Sequence, residues 1–300
     1  MKLKRWYAEL KTYMEKGHKV LGMNRRNLDY IYPNNKRRYF EYANNKLLTK
    51  ETLLEADIVV PKTFLAISYF YELVELENAL RQYTSFVIKP ASGSGGNGIM
   101  VISDRQDETW ISVSGKVYTF DDIKKHIADI IFGVYSFSMN DTAIIEERIV
   151  QDARITTLSP HGLADIRVII FRGENVKAML RIATIASEGR ANLHQGGIGV
   201  GIDLVSGRTF SAQIKGEQIA YHPDTGVALT GVEIPHWERI LHISEVSAKA
   251  IPLEYLGIDI ALSEKGPVVL EVNARPGIEI QNICKEGMRD ALYNIDERNA

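Results

Sequence analysis

The sequence predicts an α+β fold, on three observations. Helical and strand patterns are mixed, without the regular strand–helix alternation of a doubly wound parallel sheet. A hairpin pattern runs over 164–171 and 175–184, turned at Gly173-Glu174-Asn175. A long amphipathic pattern at 236–250 places Ile240, Leu241, Ile243, Val246 and Ala250 on one helical face. Three hundred residues at 45% hydrophobic content can bury a large core, in one to three domains.

Three regions follow in order. Residues 1–60 are helical and basic at first, with Arg25, Arg26, Lys36, Arg37 and Arg38 around Tyr30, Tyr32 and Tyr39. A solvated helical face is the plainer reading of that cluster, against binding of an acidic peptide, an anionic sugar or RNA. Lys46 to Glu55 reads as a short helix of good formers, and Pro61 marks a boundary. Residues 61–142 predict a helix at 66–81, a strand at 85–89, a glycine-rich loop, a strand at 98–103 and a second hairpin. A helix opened by Asp121-Asp122 ends the region, its acids facing the positive end of the helix dipole. Residues 143–300 start with a strand at 143–149 and continue through the hairpin and the 236–250 helix. The β-branched run Pro267-Val-Val-Leu-Glu-Val-Asn273 ends the strand pattern.

Two segments carry chemistry. In the 267–273 strand, period-two geometry puts Glu271, Asn273 and Arg275 on one face. Asp259, on the apolar run Gly257-Ile258-Asp259-Ile260, reaches them across the Ser263–Gly266 turn. Two carboxylates, an amide oxygen and a guanidinium make a magnesium–phosphate site, because Mg²⁺ takes few protein oxygens and completes its shell with phosphate and water. Upstream, Phe86-Val87-Ile88-Lys89 delivers a lysine into Pro90-Ala91-Ser92-Gly93-Ser94-Gly95-Gly96-Asn97-Gly98. Glycines let backbone N–H groups approach phosphate oxygens, and the lysine adds a point charge. No Gly-Lys-Ser/Thr closes the loop, so it is not a standard P-loop. The lysine precedes the loop, so it is not a dinucleotide fingerprint. A flexible hairpin turn is the bland alternative.

Together these segments resemble the ATP-grasp superfamily of carboxylate–amine ligases, most nearly RimK-type and alpha-L-glutamate ligase-like or sugar-transfer-associated proteins, over residues 43–282. The resemblance implies two α+β subdomains gripping ATP. It assigns Lys46 and Lys89 to the phosphates and the Ser92, Gly95 and Gly96 loop to a lid. Ala143-Ile-Ile-Glu146-Glu147-Arg-Ile149 matches the adenine hinge, with Glu146 accepting from the adenine amino group and backbone groups of Glu147 and Ile149 reading the ring edge. Leu262 and Leu270 are the implied apolar walls, and Asp152 a ribose contact. Asp259, Glu271 and Asn273 match the metal triad for two Mg²⁺ ions, with Mn²⁺ as an alternative. Arg275 and Arg167 are candidates for the acyl phosphate and oxyanion, and Arg181 for the substrate carboxylate; simple ion pairing with Asp165 is the rival role for both Arg167 and Arg181. Asn192-Leu-His194-Gln-Gly-Gly197 resembles the Asn-x-x-x-Gly-Gly segment of RimK-type enzymes. Two departures stand out: Asn45 replaces an acid before Lys46, and only about sixty residues precede Pro61, short of the usual Rossmann-like domain. The N-terminal region is therefore reduced, and a homodimer is one way to cover apolar surface left by it.

The resemblance implies ATP, an amino acid and a carboxylate-bearing small molecule or peptide as ligands. A hydroxyl kinase and a non-catalytic ATP-binding module are the other classes such a fold supports. A formal charge of −2 provides no global drive toward nucleic acid or membrane. Cys284 is the only cysteine, which excludes an internal disulfide and fits a reducing compartment. No apolar run reaches the length of a membrane span, and Glu9, Lys11, Glu15 and Lys16 interrupt any signal-peptide core, so the expected location is the cytoplasm.

Overall fold

Backbone pairing sorts the strands into two antiparallel sheets, each with its own core. The computed structural model describes residues 17–93 and 95–299. The first sixteen residues of the basic region and Ser94 of the glycine-rich loop lie outside these. The first sheet has the order β1-β6-β2-β3-β4-β5. Its strands are β1 (Thr63–Ile67), β2 (Phe86–Pro90), β3 (Met100–Gln106), β4 (Thr109–Ser112), β5 (Val117–Tyr118) and β6 (Ala143–Glu146).

The helix expected at 66–81 is instead three pieces: β1, a 3₁₀ turn at Phe70–Val74 and a short helix α2 (Leu76–Leu80). Leu73, Leu76 and Leu80 are buried at helical spacing, which produced the pattern. Residues 63–67, however, are drawn into the ladder, with Leu65 opposite Ile145. The helix opened by the two acids is α3 (Phe120–Ile131), capped by Thr119, whose hydroxyl accepts from the Asp122 N–H. Its Ile123, Ile127 and Ile130 pack on Phe86, Ile88, Ile102 and Trp110.

The second sheet has the order β11-β10-β9-β8-β7-β12-β13. It comprises β7 (Asp165–Phe171), β8 (Glu174–Ile182), β9 (Ile198–Ile202), β10 (Thr209–Ile214), β11 (Glu217–Ile219), β12 (Tyr255–Ser263) and β13 (Gly266–Asn273). One face packs against α4 (Trp237–Ala250), with Leu53 of α1 (Lys46–Glu55) joining the same core. Half of the other face is covered by α5 (Ile280–Ile283), α6 (Arg289–Arg298) and the basic segment, which contributes Leu21, Tyr30 and Ile31. The remaining half presents charged side chains.

Two expected boundaries move. The 143–149 strand ends at Glu146 and lies between β1 and β2, so it belongs to the first sheet, not to the third region. The described part of the 1–60 region is built into the second sheet's cores. The solvated reading of its basic cluster holds for Lys36, Arg37 and Arg38, but Arg26 is buried and donates to the Pro276 carbonyl at 2.7 Å. Among the described residues, no helix is long and apolar enough to cross a membrane.

Asn35 ties this segment to the start of β12. Its Oδ1 accepts from Glu254 N and Tyr255 N, both at 2.9 Å, and its Nδ2 donates to Tyr255 O at 2.8 Å. The residue is buried, so Asn35→Ala strands backbone groups from water. A loss of about 2–3 kcal/mol is expected, read as a lower urea midpoint with an unchanged slope.

Candidate active site

The first sheet supplies cations. Lys89 on β2 and Glu146 on β6 lie diagonally on one face, because Val87 pairs with Glu146 and Lys89 with Ile144. Lys89 Nζ meets Glu146 Oε1 at 2.5 Å, and Lys50 Nζ meets Oε2 at 2.7 Å, with all three side chains nearly buried. Lys50 also donates to Thr63 Oγ1 at 2.6 Å. The carboxylate expected to face adenine is thus held by two ammonium groups. Lys50 was not singled out in the sequence; its signal is its place one helical turn after Lys46.

Lys46 begins α1. Asn45 caps that helix, its Oδ1 accepting from Leu47 N at 3.0 Å and Leu48 N at 3.3 Å. The amide therefore does the capping work of the acid it replaces. Lys46 Nζ donates to Gly93 O at 2.5 Å, and burial lowers its ammonium below the ordinary lysine range. The glycine-rich loop is anchored at both ends. Ser92 N donates to Asp141, whose carboxylate also accepts from Ser136. At the other end a Cβ on Gly98 would lie 2.6 Å from Tyr135 Cγ, and the Gly98 carbonyl meets His126 Nε2 at 2.9 Å. Asn192 Nδ2 reaches Gly95 O at 3.3 Å, joining the loop to the second sheet.

The second sheet supplies acids. Asp259 faces Arg167 on one neighbouring strand and Glu271 on the other. A bulge makes this alignment: Asp259 pairs with Glu271 but Ile260 with Val269, leaving Leu270 over. Val269 and Val272 point into the α4 core, so Leu270 and Glu271 both lie on the Asp259 face. Asn273 Nδ2 bridges Asp259 Oδ2 at 3.1 Å and Glu271 Oε1 at 3.3 Å.

Arg167 clamps Asp259 bidentately at 2.7 and 2.6 Å. Arg181 donates to Asp259 at 2.8 Å and to Asp165 at 2.6 Å. Burial pushes the Asp259 carboxyl up, but the two guanidinium groups outweigh it and hold it well below the usual carboxylate range. For buried Asp165, desolvation wins and the carboxyl is raised, against the pull of Arg181.

Other expected contacts fall differently. Leu262 is not an adenine wall: it points to the opposite face of β12 from Asp259 and is buried in the α4 core. Leu270 is half-buried on the site face. The Glu147 N–H is already donated to Lys62 O at 2.8 Å, which leaves only its carbonyl for a ring edge. Ile149 follows β6 and is half-buried. Asp152 caps the turn at Ala153–Thr156 and pairs with Arg154 at 2.8 Å. Arg275 lies past the end of β13, exposed, its guanidinium 5.0 Å from the Phe40 ring centroid rather than on the acids.

One pocket gathers the rest. It is lined by Lys46, Lys89, Gly93, Gly95, Gly96, Asn97 and Glu271, among others. Ammonium groups and loop amides suit phosphate oxygens. The donor set suits Mg²⁺: Asp259 Oδ1 accepts only from Arg167 Nε, and Glu271 borders the pocket directly. Among the described residues no three His, Cys, Asp or Glu side chains form a metal cage. Two carboxylates and an amide fit a cation that shares its shell with phosphate. Asn273 would present Oδ1 to such an ion by turning its amide over.

The profile of the sugar-transfer associated ATP-grasp family matches residues 25–297. A probable alpha-L-glutamate ligase of Coxiella burnetii is 40% identical over 70 residues, 23% of this chain and 23% of that protein. One from Mannheimia succiniciproducens is 24% identical over 242 residues, 80% of this chain and 58% of that protein. The match thus spans less than two thirds of either relative. In fold, the chain is similar to a biotin carboxylase from Campylobacter jejuni, with a TM-score of 0.53 at 14% identity over 86% of this chain and 47% of that one. A D-alanine–D-alanine ligase from Bacillus anthracis aligns at a TM-score of 0.45 and 16% identity over 86% of this chain and 68% of that one. A profile match across nearly the whole described chain, on a fold whose two sheets bring Lys46, Lys89 and Glu271 to one pocket, shows that the chain belongs to the sugar-transfer associated ATP-grasp family.

Proposed function

We propose that this protein is an ATP-dependent carboxylate–amine ligase, activating a carboxylate as an acyl phosphate that an amine then attacks. The observation that carries the reading is the pocket where Lys46, Lys89 and the glycine-rich loop meet Glu271. A carboxylate is a poor electrophile, and phosphoryl transfer to it needs alignment and charge neutralisation more than covalent help. Lys46, Lys89 and the loop amides bind the phosphates and exclude water from the acyl phosphate. Asp259, Glu271 and Asn273 would hold Mg²⁺, as one or two ions with Mn²⁺ as a substitute, which supplies charge neutralisation to the phosphates. Leu270 lies on the nucleotide side of the sheet. Arg167 and Arg181 act chiefly by fixing Asp259, with Arg181 the nearer candidate for a substrate carboxylate.

The relatives named as probable glutamate ligases favour an amino acid, glutamate first, as the amine, and a peptide or small molecule as the carboxylate. Use of ATP favours a cytoplasmic location for the reaction.

Mg²⁺-dependent ADP release with panels of amino acids and acceptors, followed by intact mass of the products, tests the reading. A gain of one amino acid less water is the expected result, with turnover lost in Glu271→Ala. A phosphate-sized gain would make the protein a kinase, and undiminished ADP release by Glu271→Ala would remove the metal assignment.

A second expectation concerns pH. Lys46 is charged below its lowered pKa, so nucleotide affinity falls as pH rises through that value, earlier than for a free lysine. In Lys46→Arg the alkaline fall attributable to this position should vanish, because guanidinium stays charged. Titration of nucleotide binding against pH reads the difference.

A further inference from the structure

The lid carries an apolar face that the proposed chemistry does not use. Tyr69, Phe70 and Tyr71 at the start of the 3₁₀ turn, Tyr69 as its N-cap, and Phe132, Phe137 and Met139 after α3 are 56–88% exposed. The two segments touch: the rings of Phe70 and Phe132 are 6.2 Å apart, and Tyr69 stacks on Tyr71 at 5.6 Å.

The 132–139 loop is built, not slack. Ser138 N donates to Gly133 O at 2.9 Å and Met139 N to Ser136 O at 3.0 Å. Within it Phe137 and Ser138 hold left-handed backbone, at φ 54° and 62°. That conformation is costly for an aromatic residue, and here it keeps a ring 88% exposed. Ser136, in the same loop, donates to Asp141, the anchor of the glycine-rich loop.

We propose that this face is the interface between two copies of the chain. Two arguments favour a second copy. At roughly 150–250 Å² per aromatic side chain, the six residues expose about 700 Å², above the usual largest patch of a monomer and near the roughly 800 Å² that each partner of a stable complex buries. On this proposal the patch meets a copy of itself across a twofold axis, as an isologous interface requires. Its charge argues against a membrane: residues 69–75 and 132–140 contain no Lys or Arg, while Glu72 and Glu75 lie within the first segment.

Sedimentation velocity on the full chain across the micromolar range tests the proposal, independently of any ligase assay. Wild type is expected as a dimer. Phe137→Asp and Phe70→Asp should each sediment as monomers with unchanged circular dichroism. Val205→Asp, on a turn of the second sheet where the side chain is 94% exposed, should stay dimeric. A monomeric wild type, or a dimer that survives both lid substitutions, overturns the proposal. Pelleting of wild type with phosphatidylcholine vesicles, abolished by Phe137→Asp, would assign the face to lipid and overturn it as well.

Discussion

The structure turns on an imbalance of buried charge. Glu146 is the one carboxylate hydrogen-bonded to both Lys50 and Lys89, and Lys46 lies beside them with a carbonyl as its partner. Buried ion pairs are poor stabilisers, because desolvation offsets most of their attraction. Their worth here is positional. Lys50 comes from α1, whose Leu53 belongs to the second sheet's core, whereas Glu146 lies in the middle of the first sheet. The Lys50–Glu146 pair therefore fixes one sheet against the other at the point where the pocket opens. The ammonium left over is a surplus that an anion can answer.

The second sheet shows the opposite bias at its site edge. Arg167 and Arg181 are consumed by Asp259 and Asp165, and Glu271 adds a carboxylate to the pocket wall, where among the described residues the Asn273 amide is hydrogen-bonded to it. Cations on one side and carboxylates on the other suit a polyanion carrying a divalent cation better than either alone. The two guanidinium groups hold Asp259 ionised in a setting where burial would otherwise protonate it, as the metal role proposed for it requires. Their tight pairing also explains why sequence reasoning found two plausible roles for each arginine: the residue that shapes the site is also a salt-bridge partner.

Much of this was legible where local signals and tertiary structure agree. The helix Lys46–Glu55 falls at its expected bounds, because Asn45 caps it and Glu55 ends it before a turn. The β12–β13 hairpin and the 237–250 helix follow their alternation and 3.6-residue period. Reading failed where pairing partners decide. Residues 63–67 become a strand only because β6 is there to receive them. β6 has no local mark that assigns it to the first sheet. Leu262 and Leu270 are indistinguishable as strand leucines until the bulge at Leu270 turns one toward the site and leaves the other in the core. Lys50 looks like an ordinary surface lysine on a short helix, since its partner is 96 residues away.

The glycine-rich loop follows from the same constraints. Its ends are held, Ser92 by Asp141 and Gly98 by the Tyr135 ring, so its freedom is confined to the residues between. There Gly95 and Gly96 take φ of 68° and 80°, a region side chains enter only at a cost. Both glycines border the pocket, where backbone without a Cβ can approach a ligand closely. The positive φ of these glycines belongs to the tight path between two held ends, and that path runs where the pocket's cationic floor, Lys46 and Lys89, faces the Glu271 carboxylate of the other sheet.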